Sequence, residues 1–289
     1  MDSRQLKYFV AVADKGSFTH AAQQVHIAQP ALSIAIKKLE QQLGVTLFKR
    51  GDRKVSLTHE GDVLLEHARR ILQQIDDAQL AMDELKGLVK GEVRLGAPSM
   101  MGSYFFPPII MAFKTQFPDL KMTVIDAGTQ SIRKMLLAGE LDIGVILNQD
   151  VPEDLATDPL LSSPMVAVVG QQHELAHHTQ INFKQFFEHP LVMFKTGYFH
   201  REFIDNVCKK QNCQAEISFE TNLLPMILAI VKQEYAITTL LQLVTDNEPE
   251  VKAIPFSPPV QIDLALAWRK EGYLSNADRT FIEFVKQYV

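Results

Sequence analysis

Residues 16–44 read GSFTHAAQQVHIAQPALSIAIKKLEQQLG, and their spacing predicts two short amphipathic helices separated by a tight break. Ser17 is placed to cap the first, in which Phe18, Ala21, Ala22 and Val25 recur at helical intervals. Pro30 falls in the opening turn of the second, where its missing N–H costs nothing, and Leu32, Ile36, Leu39 and Leu43 form an inward stripe. Gln29, Ser33 and Lys37 are left on a common outward line. Glutamine and serine read base edges and lysine binds phosphate, so this face suits the major groove of double-stranded DNA. Paired amphipathic helices also occur in ordinary helical cores, and the next segment is what favours the DNA reading. In residues 45–61, VTLFKRGDRKVSLTHEG, two β-prone runs, Leu47-Phe48 and Val55-Ser56-Leu57, flank Arg50, Arg53 and Lys54. This is a hairpin with a basic tip, a wing beside the reading helix.

Upstream, Leu6, Phe9, Val10 and Ala13 give a first helix its buried stripe, ended by Lys15-Gly16. Downstream, Leu64, Ala68, Ile71, Ile75, Ala78, Met82, Leu85 and Val89 alternate at intervals of four and three without a break. Such a repeat predicts a helix that pairs with another along a seam, and about thirty residues at ~1.5 Å each make a rod of roughly 45 Å. A helix packed on its own domain would want a wider, less regular stripe.

In this order LKYFVAVADKGSFTHAA, QPALSIAIKKLEQQLG and LFKRGDRKVSLTHEG resemble the amino-terminal domain of the LysR-type transcriptional regulators, over about the first sixty residues. Members of that family often carry a basic residue where this chain has His20 and Ile34, and a serine where it has Ala28. The resemblance implies a multi-domain chain. It has an all-α winged helix-turn-helix DNA-binding domain (1–58), a linker and dimerisation helix (59–90), and an α/β two-lobed effector domain (91–289) similar in fold to solute-binding proteins. Residues about 91–162 and 264–289 would form the first lobe and about 163–263 the second, with PEDLATDPLLSSP and IPFSPPV as turn-rich crossings. The alternating strand and helix patterns beyond Gly91 predict a parallel-rich sheet.

Composition agrees with this division. The chain has 289 residues and a net charge of −5, yet residues 1–58 hold nine Lys/Arg against four Asp/Glu. A basic head on an acidic body presents one face to phosphates and keeps the remainder off DNA. No apolar run approaches a membrane span and the start has no signal layout, so a cytoplasmic protein is expected.

Between the lobes, Ser99 and Thr129 each follow a strand and precede a helix, where hydroxyls and free N–H groups receive an anion. Each alone reads as a plain cap. Together they predict a small organic anion as effector, since neither has an obvious acidic neighbour. The resemblance extends the site to Thr196, Gly197, Thr221 and Asn222, while Glu234 and Ala236 stand where the family often has a glycine pair.

The sequence shows no phosphate-binding glycine loop, nucleophile elbow or HExxH helix, and His173, His177 and His178 read as a solvated loop. No enzyme activity, metal or cofactor is expected. A peroxide-sensing branch of the family uses a cysteine pair, but only Lys209 and Lys210 lie near enough to acidify Cys208 or Cys213, so redox switching is the lesser reading. The expectation is a DNA-bound dimer or dimer of dimers, with RNA polymerase as a further partner, switched by its effector. A solute-binding protein on the same two-lobed fold is the alternative.

Overall fold

The computed structural model describes residues 1–50, 55–85, 91–212 and 214–288, with Arg50 and Gln211 described by backbone alone. Two compact units divide the chain, Met1–Leu88 and Val89–Val289.

The first unit starts with α1 (Ser3–Lys15), α2 (Phe18–Gln24) and α3 (Gln29–Leu43). Asp2 and Gln5 close a capping box on α1, and Gly16 ends it at φ 56°, where a side chain would be strained. Ser17 accepts from the His20 N–H as cap of α2, whereas Ala28 supplies no cap to α3, whose opening turn carries Pro30 instead. The wing is a two-stranded antiparallel hairpin of β1 (Phe48–Arg50) and β2 (Val55–Leu57), paired from Phe48↔Leu57 to Arg50↔Val55. Its tip, with Arg53 and Lys54, lies outside the described residues. Phe9, Phe48, Leu32, Ile36 and Leu39 form the core of this unit.

Helix α4 (His59–Leu85) leaves the wing. Gly61 is required there because a Cβ would stand 2.3 Å from the Leu47 carbonyl oxygen. The first turns of α4 are spent inside the unit: Leu64, Leu65, Ala68 and Leu72 pack on its core, and Arg69 pairs with Asp14 at 2.7 Å. Further along, Ile71, Ile75, Met82 and Leu85 are 39, 42, 51 and 80% exposed, a line of apolar side chains that the described residues of the first unit do not cover.

The second unit contains β3 (Glu92–Ala97), a π-helical turn (Met101–Phe105), α5 (Phe106–Gln116), β4 (Lys121–Asp126), α6 (Thr129–Ala138) and β5 (Ile143–Leu147). It continues through β6 (Leu155–Gly170), α7 (Phe183–Phe186), β7 (Leu191–Met193), α8 (Phe199–Gln211), β8 (Ile217–Glu220) and α9 (Leu224–Lys232). The chain closes with β9 (Thr238–Leu241), α10 (Gln242–Thr245), β10 (Val251–Arg269) and α11 (Asn276–Lys286).

Its main sheet has the order β4-β3-β5-β10-β6-β9 and is mixed rather than parallel-rich. Strand β3 runs parallel to β4 and β5, while β10 is antiparallel to β5 and β6, and β6 to β9. The two crossings expected to be turns are the long strands β6 and β10, paired from Val251↔Gly170 to Arg269↔Leu155. Their prolines misled the sequence reading. Most of the proline-rich stretch of β10 falls in a register shift between Pro255 and Val260, where no ladder donor is needed. One half of each long strand belongs to the β3–β5 side of the sheet and the other to the β9 side, so the pair carries the chain from one end of the sheet to the other. A separate parallel pair, β7 and β8, lies beyond β9, joined to it by the bridge Leu191↔Ile237.

Candidate DNA face and ligand site

On α3 the inward residues Leu32, Ile36 and Leu39 are fully buried, whereas Leu43, expected in the same stripe, is 39% exposed in the last turn; Gln29, Pro30, Lys37 and Lys38 are exposed and Ser33 is half-buried. The expected reading residues therefore lie outside the core on one helix, with Ser33 at the edge of the outward arc. Helix and wing are fixed to each other by the Glu40 carboxylate, which accepts from the Leu47 N–H at 2.8 Å and the Phe48 N–H at 3.4 Å. Thr58 completes the brace: its hydroxyl donates to the Thr46 carbonyl at 2.7 Å and accepts from the Gly61 N–H at 3.0 Å. Arg50 enters the hairpin through its backbone, and the residues that would carry the rest of the basic tip are outside the described set.

In the second unit, β3 and β4 pair in register from Glu92↔Lys121 to Ala97↔Asp126. That register brings Ser99, just past the end of β3, against the last residue of β4. The Ser99 hydroxyl meets both Asp126 oxygens, at 2.7 and 2.9 Å, and Ser99 is 8% exposed. The premise that Ser99 lacks an acidic neighbour is thus wrong. Thr129 is buried in the first turn of α6, where Gly128 occupies the cap position, so Thr129 is not a cap.

Gly128 has ordinary extended angles, φ −68° and ψ 152°, so its lack of a side chain serves space rather than conformation. A Cβ there would lie 2.1 Å from the Gly197 carbonyl oxygen and 3.2 Å from the Tyr198 ring. Gly197 itself sits at φ 93°, a backbone region that favours glycine. Tyr198 faces the same pair of residues: burial and then the charge of Asp126 raise its phenol above the usual value, and Ser99 opposes the shift. Gln130 and Glu202 add a hydrogen bond at 3.3 Å. The ends of β3 and β4 thus meet the start of α8.

Asn222 accepts from the Lys195 N–H at 3.0 Å and Thr221 donates its N–H to the Met193 carbonyl at 3.0 Å, which laces their loop to the loop of Thr196 and Gly197. Thr196 is exposed. Sequence reasoning missed Asp126 and Tyr198. Asp126 could have been found by pairing the two strands in register, because it ends the strand three residues before Thr129.

Behind Tyr198 the rings continue inward. Phe194 stacks on Tyr198 and on His200, each at 5.2 Å, and Phe199 lies 3.6 Å from His200 between ring centres. His200 is 1% exposed, neither ring nitrogen has a hydrogen-bond partner among the described residues, and burial pulls its pKa down to about 3. Elsewhere, His173 accepts from the Leu175 N–H at 3.2 Å to cap a short turn. Among the described residues no group of three His, Cys, Asp or Glu is arranged to hold a metal, and no helix is long and apolar enough to cross a membrane.

Comparison with known proteins follows this two-unit division. Residues 3–62 match the model of the bacterial regulatory helix-turn-helix proteins of the lysR family, and residues 86–289 match the LysR substrate binding domain. The HTH-type transcriptional regulator YwbI of Bacillus subtilis is 32% identical, with 100% of this chain and 97% of that protein covered. A hydrogen peroxide-inducible genes activator of Pectobacterium carotovorum is 29% identical over 100% of this chain and 97% of its own length. Among solved structures, a full-length OxyR from Pseudomonas aeruginosa is 25% identical with a TM-score of 0.74, covering 99% of this chain and 95% of that one. CbnR, at 22% identity and a TM-score of 0.69 over 99% of both chains, shares the fold.

Proposed function

Because this chain belongs to the LysR family of transcriptional regulators, with a DNA-binding and an effector-binding domain, we propose that its DNA-bound state is switched by a small molecule held beside Ser99, Asp126 and Thr129. Gly197 and Tyr198 of the facing lobe close over that molecule. The observation that carries this placement is the Ser99–Asp126 hydrogen bond at 2.7 Å, set where Gly128 and Gly197 bring the two lobes into contact. Asp126 changes the chemistry expected of the effector. A simple anion would meet a carboxylate there, while the N–H groups opening α6 still favour negative charge or an acceptor. The ligand that uses both offers a hydroxyl or amine to Asp126 and an acidic or carbonyl group to the start of α6. Calorimetry with hydroxy and amino acids, simple carboxylates and simple amines tests this, with Asp126→Asn as the control. Equal binding of simple carboxylates and their hydroxy or amino counterparts would remove Asp126 from the site.

DNA reading is assigned to Gln29, Pro30, Ser33 and Lys37 with Arg50, Arg53 and Lys54 of the wing, supported by the exposure of the helix face and the basic surplus of residues 1–58. Pairing of two chains along α4 is supported by the uncovered line Ile71, Ile75, Met82 and Leu85.

The peroxide-inducible activators among its relatives favour a second reading, in which oxidation rather than a bound molecule is the signal. Cys208 is half-buried on α8, and Cys213 lies outside the described residues. Peroxide treatment followed by intact-mass measurement and DNA binding separates the two. The oxidation reading requires a mass change together with a DNA-binding change that Cys208→Ser abolishes; the ligand reading requires neither.

A further inference from the structure

The reading helix carries one residue that neither its own core nor the polar reading face explains. Ile34 is 58% exposed, the most exposed large apolar side chain among the described residues of α1, α2 and α3. At about 100° per residue, the buried trio Leu32, Ile36 and Leu39 defines an inward direction, and Ile34 projects about 170° from it. It therefore stands at the centre of the outward arc, flanked by Pro30 and Gln41, with Lys37 and Lys38 on either side. Ser33, by contrast, is half-buried at the arc's edge.

We propose that Ile34 is a specificity-determining residue that packs its side chain against the C5-methyl group of a thymine in the major groove. The occupant of this face is fixed by charge: residues 1–58 carry nine Lys/Arg against four Asp/Glu, and two lysines border Ile34 on the same helix. The partner is thus a polyanion, and the apolar group that a DNA major groove presents to a helix is the thymine methyl. A basic side chain at the centre of the arc would seek phosphate or guanine instead. An isoleucine there leaves phosphate contacts to its neighbours and reads a methyl group.

The inference rests on the DNA-bound state described above, and its test keeps the two separate. The full-length protein selects its preferred duplex from a random library, and binding of that unmodified duplex establishes DNA recognition by itself. Each thymine of the selected site is then replaced in turn by deoxyuridine, which removes only the methyl group. Wild type is expected to lose about four-fold in affinity, the value of one methyl-sized contact, at one thymine in each half-site. Ile34→Ala is expected to bind the thymine and deoxyuridine duplexes equally at that position, with an unchanged melting temperature because the side chain is exposed. Wild type that tolerates every deoxyuridine, or an alanine variant with the same sensitivity as wild type, overturns the assignment while leaving DNA binding intact.

Discussion

Replacing His200 by leucine should stabilise the second unit, and more so in acid. The imidazole is 1% exposed, with neither nitrogen partnered among the described residues. Each such orphaned group costs about 1–3 kcal/mol, while leucine gives up ring contacts with Phe194 and Phe199 worth about 0.5–1.5 kcal/mol each. At pH 8 the two orphaned nitrogens outweigh the two ring contacts by about 2 kcal/mol. A pH term adds to this. Burial lowers the folded pKa from 6.5 to about 3, so between those values the unfolded chain binds a proton that the folded chain refuses. Stability is then fully present above pH 6.5 and is lost as pH falls, at about 1.4 kcal/mol per pH unit, until it levels below about pH 3. From pH 8 to pH 5 wild type loses about 2 kcal/mol through this group, and His200→Leu loses none of it. The assay is urea unfolding at the two pH values followed by fluorescence of Trp268, the single tryptophan, which lies in β10 and reports the second unit. A stability gap between variant and wild type that is the same at both pH values, or smaller at pH 5, would show that His200 is not buried in its neutral form.

Gly128→Ala should destabilise or prise apart the lobe contact, because its Cβ would meet the Gly197 backbone at 2.1 Å; overpacking of this kind costs about 1–3 kcal/mol, and a lower melting temperature or a larger radius of gyration by X-ray scattering checks it. Ile75→Asp should place a charge in the α4 seam and turn the oligomer into monomers or a far weaker dimer in sedimentation, whereas a fully associated mutant would move the interface elsewhere. Lys37→Ala should weaken binding to all duplexes alike and flatten its salt dependence, while Gln29→Ala should relax sequence preference. Fluorescence anisotropy over a range of salt distinguishes the two patterns.

The amino-terminal helices were legible because local signals agree with each other there. The apolar spacing, the Ser17 cap and Pro30 in the opening turn all point to the same elements, and the structure places them where those signals do. The long strands β6 and β10 were not legible, since Pro159, Pro164, Pro255, Pro258 and Pro259 carry turn chemistry that only the paired partner and its register shift override. Ser99 and Thr129 were visible as strand-to-helix junctions. Their acidic neighbour was not, because it depends on which strands pair and in what register. The solitary burial of His200 left no signal either, since FHREF reads as an ordinary polar start to a helix.

Ser99 and Thr129 are assigned to an effector whose binding is separable from DNA reading. A thermal-shift screen of small hydroxy and amino acids, carboxylates and amines against wild type and the Ser99→Ala, Thr129→Val double variant, each shown to bind the same DNA, decides that assignment. A compound that raises the melting temperature of wild type and leaves the variant unmoved is expected, although both bind DNA equally. A compound that stabilises both proteins to the same extent would contradict it.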